Sequence, residues 1–290
     1  MRAFTIDTPD TINKALFNGD ARKLHFQLFD SAGALADHAA TFARPYHDLP
    51  LDGVSYGGMN FDQGVRAFRD GDLSGVARSD ALLQRFESLT MPTSRKAWID
   101  GVAGALPNVQ AHLAGVPLAM RRKVRQSDDA APLCVVIDIG AAAAIEPHEI
   151  SNRGAAVLAL VRILAIRRPV ELWAGAILDA DNALNASATF CRIDTSPLDL
   201  AHAAFILTHP AAIRRVIWGS AMAHGFKAKH PFLAGQNHAP FTRDLLATAF
   251  LHASDLLVMP RIRSGELSAT DPTKWIDSQL AIYASDLEAA

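Results

Sequence analysis

From Leu133 onward, the apolar positions fall into short continuous runs separated by helical stripes. Leu133–Asp138 is a nearly unbroken apolar run between Pro132 and Gly140, and its β-branched content predicts a strand buried on both faces. Glu146-Pro147 then opens a long helix, with proline in the first turn, where its missing N–H costs nothing. Ile150, Val157, Leu158, Val161 and Leu164 keep helical spacing along it. Arg162, Arg167 and Arg168 gather towards its carboxyl end, in favourable alignment with the helix dipole. Val170–Leu178 and Ala188–Ile193 read as two further strands joined across Asp181-Asn182. Thr195-Ser196-Pro197-Leu198-Asp199 supplies a hydroxyl, a proline and an acid in the order that starts a helix, which ends at the His209-Pro210 break. Helical pieces follow at Ala211–Trp218 and Phe241–His252, then a strand at Asp255–Met259. Pro272–Leu287 closes the chain as a helix with Trp275, Ile276, Leu280, Tyr283 and Leu287 on one face. The order β-α-β-β-α-α-β-α predicts an α/β fold: a mostly parallel sheet with one antiparallel strand, sandwiched by helices.

The preceding part lacks long strand signals. Thr11–Phe17, Ala32–Phe42, Asn60–Arg69 and Ser79–Leu89 read as helices, the third carrying the stripe Phe61, Val65, Phe68 and beginning at Asn60. A loop rich in Pro and Gly runs from Pro45 to Gly58, and its paired glycines read as a tight turn before the Phe61 helix. Leu106–Leu113 fits either element and stops at Gly115-Val116-Pro117. Arg121–Pro132 concentrates charge, then small residues, then proline, which is linker chemistry. The expected organisation is a mainly helical region over residues 1–125 and an α/β domain over 130–290.

Composition narrows the chemistry. Half of the 290 residues are hydrophobic and a fifth are charged, a globular profile, and the net charge of -2 provides no global attraction for nucleic acid. Two cysteines, Cys134 and Cys191, sit inside strand-like runs, which points to buried reduced thiols and a reducing compartment. The amino terminus meets polar residues before any apolar stretch of signal-peptide length, and the run Gly154–Ile166 is too short to span a bilayer. A cytoplasmic protein is expected, with no membrane association.

The strand ending in Asp138, the helix after it and the following antiparallel pair resemble a von Willebrand A-type domain. In that family the equivalent strand ends in Asp-x-Ser-x-Ser, whose oxygens, with a Thr and an Asp from later loops, hold a divalent cation. Here the stretch is Asp138-Ile139-Gly140-Ala141-Ala142, Thr195 stands at the second loop, and the last strand is followed by Pro260-Arg261. Two oxygen ligands beside an arginine are too few for a hard cation, so the resemblance implies the fold with a degenerate metal site and no cofactor. It also implies one binding surface at the top of the sheet, formed by Asp138, Gly140, Thr195, Ser196 and Arg261. Pro107-Asn108-Val109, Leu113-Ala114-Gly115-Val116-Pro117, Arg153–Leu160, Val170–Trp173 and Leu207–Ala211 are similar to an uncharacterised, often phage-encoded family with a degenerate domain of this type. That similarity covers about Tyr56–Met259 and implies the host cytoplasm as location.

Other constellations carry less. Asp138-Ile139-Gly140 resembles the first phosphate loop of actin-like ATPases, but alanines follow where Gly, Ser or Thr would be needed. His202 and His209 lie two helical turns apart, with Asp199 better employed at the helix start. His224, His230 and His238 lie in a Gly- and Pro-rich loop, the basis of an alternative reading as a hydrolase, although their spacing matches no metal signature. No Gly-x-Ser-x-Gly and no phosphate loop occurs. Arg121, Arg122, Lys123 and Arg125, with Arg214, Arg215, Lys227 and Lys229, form the set an alternative nucleic-acid-binding function would use. The run at 121–125 has no aromatic neighbours in the chain to stack bases. The leading expectation is a non-enzymatic module with a protein partner.

Overall fold

The computed structural model describes residues 1–7, 23–42, 56–86, 96–101, 103, 105–125, 132–142, 144–179, 185–222, 246, 249–250, 253 and 255–289. Two strands near the amino terminus, β1 (Arg2–Asp7) and β2 (Lys23–Phe29), pair antiparallel. In β2, Leu24, Phe26 and Leu28 alternate with His25 and Gln27, the period-two pattern of a pleated strand. Helices α1 (Ala32–Phe42), α2 (Phe61–Asp70) and α3 (Val76–Arg85) follow. Asn60 caps α2 as its position predicts: its side chain accepts from Gln63 N–H while the Gln63 side chain accepts from Asn60 N–H. Phe61, Val65 and Phe68 are buried along α2. α3 starts after Gly75, one turn earlier than the predicted Ser79.

The next stretch departs from its prediction. β3 (Lys96–Gly101), β4 (Leu106–Pro107), a short α4 (Val109–Leu113) and β5 (Met120–Arg125) make a separate three-stranded antiparallel sheet in the order β3-β5-β4. The basic run taken for a linker is therefore its central strand. Charge density does not prevent strand formation when one face of the ladder meets water.

β6 (Leu133–Asp138) is buried at every position. It leads through α5 (Pro147–Arg167) to β7 (Val170–Asp179), which turns back into β8 (Asn185–Ile193). Pro147 is in the first turn of α5, and Glu146 and Glu149 close a capping box around it. α6 (Leu200–Thr208) ends where His209 adopts the extended backbone that a following proline requires. A π-helical segment, Ala212–Ile217, buried at all six positions, runs into α7 (Trp218–Met222). β9 (Leu256–Met259), α8 (Leu267–Thr270) and α9 (Pro272–Ala289) complete the chain.

The main sheet has the order β1-β2-β8-β7-β6-β9. β2/β8, β6/β7 and β6/β9 are parallel, while β1/β2 and β7/β8 are antiparallel, so the sheet is mostly parallel with two reversals rather than the single one expected. The extra reversal comes from the amino-terminal strands. β2 adds to the free edge of β8, and its apolar face would otherwise be left in water. Among the described residues of 1–125, strands therefore accompany the helices, and β1 and β2 complete the main sheet. Thr11–Phe17 and most of Phe241–His252 lie outside the described residues.

Strand alternation splits the interior in two. Leu133, Val135 and Ile137 pack with Phe29, the helices α1, α2, α5 and α6, the π segment and Trp275 of α9. Cys134 and Val136 face a smaller layer with Leu24, Phe26, Trp173, Phe190, Leu246 and Phe250. On the first side α5 meets α6 backbone to backbone. A Cβ on Gly154 would stand 2.0 Å from the Leu207 carbonyl oxygen, so only glycine permits the crossing. No helix among the described residues is long and apolar enough to cross a membrane.

Candidate functional site

Strand order decides where a site can form. β6 connects to β7 on one side through α5, while β9 joins β6 on the other side, so the carboxyl ends of β6 and β9 form a topological switch point. Open α/β sheets bind ligands at such switch points. Asp138 ends β6 at 0% exposure, and Arg261 follows β9 at 5%. The Arg261 Nη2 donates to Ile177 O at 2.5 Å and to Asp138 Oδ2 at 3.4 Å. Asp138 Oδ1 accepts from Gly140 N–H at 2.8 Å, which folds the loop over the carboxylate, and a Cβ on Gly140 would fall 2.7 Å from that oxygen.

Two more buried arginines hold the rim. Arg153 of α5 donates to Pro260 O and lies 3.9 Å from Glu266 Oε1. Burial pushes its pKa below the ordinary range, opposed by Glu266 and Asp138. Arg214 of the π segment donates to Ala142 O at 3.1 Å and Ile145 O at 2.7 Å. Guanidinium forks suit this work, since each can satisfy several loop carbonyls that would otherwise be buried without donors. Chemically, this edge holds one buried carboxylate already paired with an internal cation. Among the described residues, no three His, Cys, Asp or Glu side chains come together as a metal-ligand set.

The predicted binding set divides. Asp138, Gly140 and Arg261 meet at this edge, whereas Thr195 and Ser196 lie at the opposite one. Thr195 Oγ1 donates to Val170 O at the beginning of β7. Gly175, five residues further along β7, is the register partner of Asp138, which puts the two groups about 16 Å apart along the strand. The reason is direction: β8 runs antiparallel to β7, so the loop after it emerges at the amino end of β6.

The predicted nucleic-acid set also divides. Arg214 and Arg215 are each 9% exposed. Arg214 is tied to the loop carbonyls, and Arg215 lies 3.8 Å over the Tyr56 ring. Arg121, Arg122, Lys123 and Arg125 all belong to β5. Lys227, Lys229, His224, His230 and His238 lie outside the described residues.

Asp199 caps α6, accepting from His202 N–H at 3.1 Å. The His202 ring is held by the Asp199 carboxylate at 2.6 Å and Arg69 O at 2.7 Å. His209 stacks on Phe205, and its Nδ1 accepts from Ala211 N–H. Burial lowers the His209 pKa, and Asp72 partly opposes this. His209 borders a cavity of about 490 Å³ lined by Ser74, Gly75, Ala77, Arg78, Ser151 and Thr208, which sequence reasoning missed. Its walls come from α3, α5 and α6, and only the His209-Pro210 break hinted at it. Both thiols are buried and pushed up to about 12 by desolvation, as befits packed rather than reactive cysteines.

The sequence matches the family described as "Domain of unknown function (DUF7192)" over residues 12–273, and the chain belongs to that family. No curated protein and no solved structure matches the chain.

Proposed function

We propose that this member of the DUF7192 family is a non-catalytic module of von Willebrand A-like type that binds a protein partner at the carboxyl edge of its sheet without a metal ion. The observation that carries this reading is the Arg261 guanidinium beside Asp138: an internal cation stands where a bridging metal would be needed. The order β8-β7-β6-β9, with β8 reversed, supports the family likeness. Around the buried pair, the rim offers exposed Pro260, Arg263, Ser264 and Glu146 with half-buried Ala141 and Ala142. Thr195 and Ser196 have no part in this surface.

The test is affinity capture from the producing cells, with and without EDTA, comparing the wild-type chain with an Ala141→Glu/Arg263→Glu variant. A protein retained by the wild type in EDTA and lost with the variant supports the reading. Capture abolished by EDTA, or no captured protein sensitive to the variant, refutes it.

A further inference from the structure

Exposed apolar side chains gather at one place in the molecule. Ten large hydrophobic residues are exposed among the described residues, and five of them, Leu106, Val109, Leu113, Val116 and Leu118, fall between the start of β4 and the start of β5. Single exposed apolar residues are ordinary, but a group of five is not. Val109 and Leu113 lie one turn apart on the same side of α4, at 61% and 82% exposure. From Gly101 to Met120 the chain holds no Asp, Glu, Lys or Arg and no Phe, Tyr or Trp. Among the described residues, β3, β4 and β5 pack on one another, and no other helix or strand packs extensively on them. The stretch therefore forms an uncharged apolar tip that the fold leaves in water.

The backbone of the tip closes on itself. Asn108 N–H donates to Ala119 O at 2.7 Å, His112 N–H to Asn108 O, Ala114 N–H to Gln110 O and Val116 N–H to Ala111 O. The Asn108 side chain accepts from Ala111 N–H and caps α4. Backbone groups bonded in this way lower the cost of taking the tip out of water. Immediately after it, β5 opens on Met120 and carries Arg121, Arg122, Lys123 and Arg125. Leu106 pairs with Arg121 and Pro107 with Met120, so the basic strand begins at the base of the apolar stretch.

We propose that this tip inserts into the interfacial region of an anionic lipid bilayer, with β5 at the level of the headgroups. Charge complementarity selects this occupant. The apolar tip enters the boundary between headgroups and acyl chains, and the cations of β5 follow within about 17 Å of strand, where they meet negative lipid. The whole chain, at a formal net charge of -2, gains nothing from a negative surface, so the attraction is local to this strand. A protein partner fits less well, because protein interfaces are anchored by aromatic residues and arginine at a desolvated centre, and the tip offers only Leu and Val. A second copy also fits less well. Five such side chains expose on the order of 500 Å², so two tips would bury about 1,000 Å², the lower limit for a stable interface, while bringing two basic strands together. A surface contact needs no spanning helix, and none occurs among the described residues. It uses none of the residues at the Asp138 edge.

The test is sedimentation of the full chain with vesicles of phosphatidylcholine, alone or with about one third phosphatidylserine. The wild type should sediment with the mixed vesicles at about 50 mM salt, more weakly with phosphatidylcholine alone, and less as salt rises. Val109→Ser/Leu113→Ser should weaken binding to the mixed vesicles about ten- to a hundred-fold. Its melting should match the wild type, since both side chains are exposed. Arg121→Gln/Arg122→Gln should weaken the same binding about five- to thirty-fold and remove most of the preference for phosphatidylserine. Leu113→Cys carrying an environment-sensitive fluorophore should shift to shorter wavelength on mixed vesicles and be quenched by brominated acyl chains, the two native thiols being buried. The same label at Leu73→Cys, a position 61% exposed ahead of α3, should do neither. No sedimentation with mixed vesicles at low salt, equal binding to both vesicle types, or binding unchanged in Val109→Ser/Leu113→Ser would overturn the proposal. So would a Leu113 label that vesicles leave unchanged, or a lipid-free dimer abolished by Val109→Ser/Leu113→Ser, which assigns the tip to a second copy.

Discussion

Arg261→Met tests whether the buried ion pair holds the carboxyl edge together. The substitution keeps an unbranched side chain of similar length and removes the charge and the donors. It leaves Asp138, at 0% exposure, with Gly140 N–H and the nearby Arg153 charge but without its Arg261 partner, and deprives the Ile177 carbonyl of a 2.5 Å hydrogen bond. Breaking one side of a buried pair costs about 3–5 kcal/mol, chiefly because the remaining charge stays uncompensated. The 3.4 Å separation from Asp138 is long, so much of the loss falls on the carbonyl, whose missing donor alone costs about 1–3 kcal/mol. Urea unfolding should therefore show a loss of about 3–5 kcal/mol, with a drop in Tm of about 6–15 °C. Asp138→Asn combined with Arg261→Met should be less destabilised than the two single losses added together, by at least about 1 kcal/mol. A single-variant loss under about 1 kcal/mol, or losses additive within about 0.5 kcal/mol, would show that the pair is not coupled.

Gly154→Ala should lower stability by about 1–3 kcal/mol in the same assay, although alanine is the better helix former, because its Cβ would stand 2.0 Å from the Leu207 oxygen. His209→Gln should flatten the acid side of the stability profile. Burial holds the folded His209 pKa below its ordinary 6.5, so the unfolded chain takes up the proton first. Stability rises with pH through that window and is lost as pH falls from about 7 towards the folded value; a variant whose profile matches the wild type refutes the assignment. Cys134 and Cys191, with thiols pushed up to about 12, should resist a thiol-specific disulfide reagent in the native protein and react fully in denaturant. Rapid labelling of either in the folded chain would contradict their burial.

The elements from Leu133 onward were legible for a local reason. A strand buried on both faces must be apolar throughout, and the helix after it must open on Glu146-Pro147 and keep one apolar stripe. These patterns stand out from neighbours in the chain. β2 was missed because a seven-residue alternation of Leu and Phe with His and Gln is weak by itself and acquires meaning only beside β8, and β1 acquires its meaning only beside β2. The three-stranded sheet was missed for the same reason: Met120–Arg125 has no strand signal strong enough to outweigh its charge until β3 lies against it.

The candidate sites show the division more sharply. The chain alone determines that Asp138 ends a buried strand, that the serines and threonines of a hard-cation site are absent beside it, and that both cysteines are packed. Only the tertiary structure decides which residues Asp138 meets. The reversal of β8 carries Thr195 and Ser196 to the far edge, and the parallel placement of β9 brings Arg261 from 123 residues away to the Asp138 carboxylate. Pairing of β4 with β5 likewise sets Leu106 opposite Arg121. Local propensity acts through a few neighbouring residues, whereas strand direction and register depend on burying apolar faces from distant segments together, and that requirement is met only in the assembled fold.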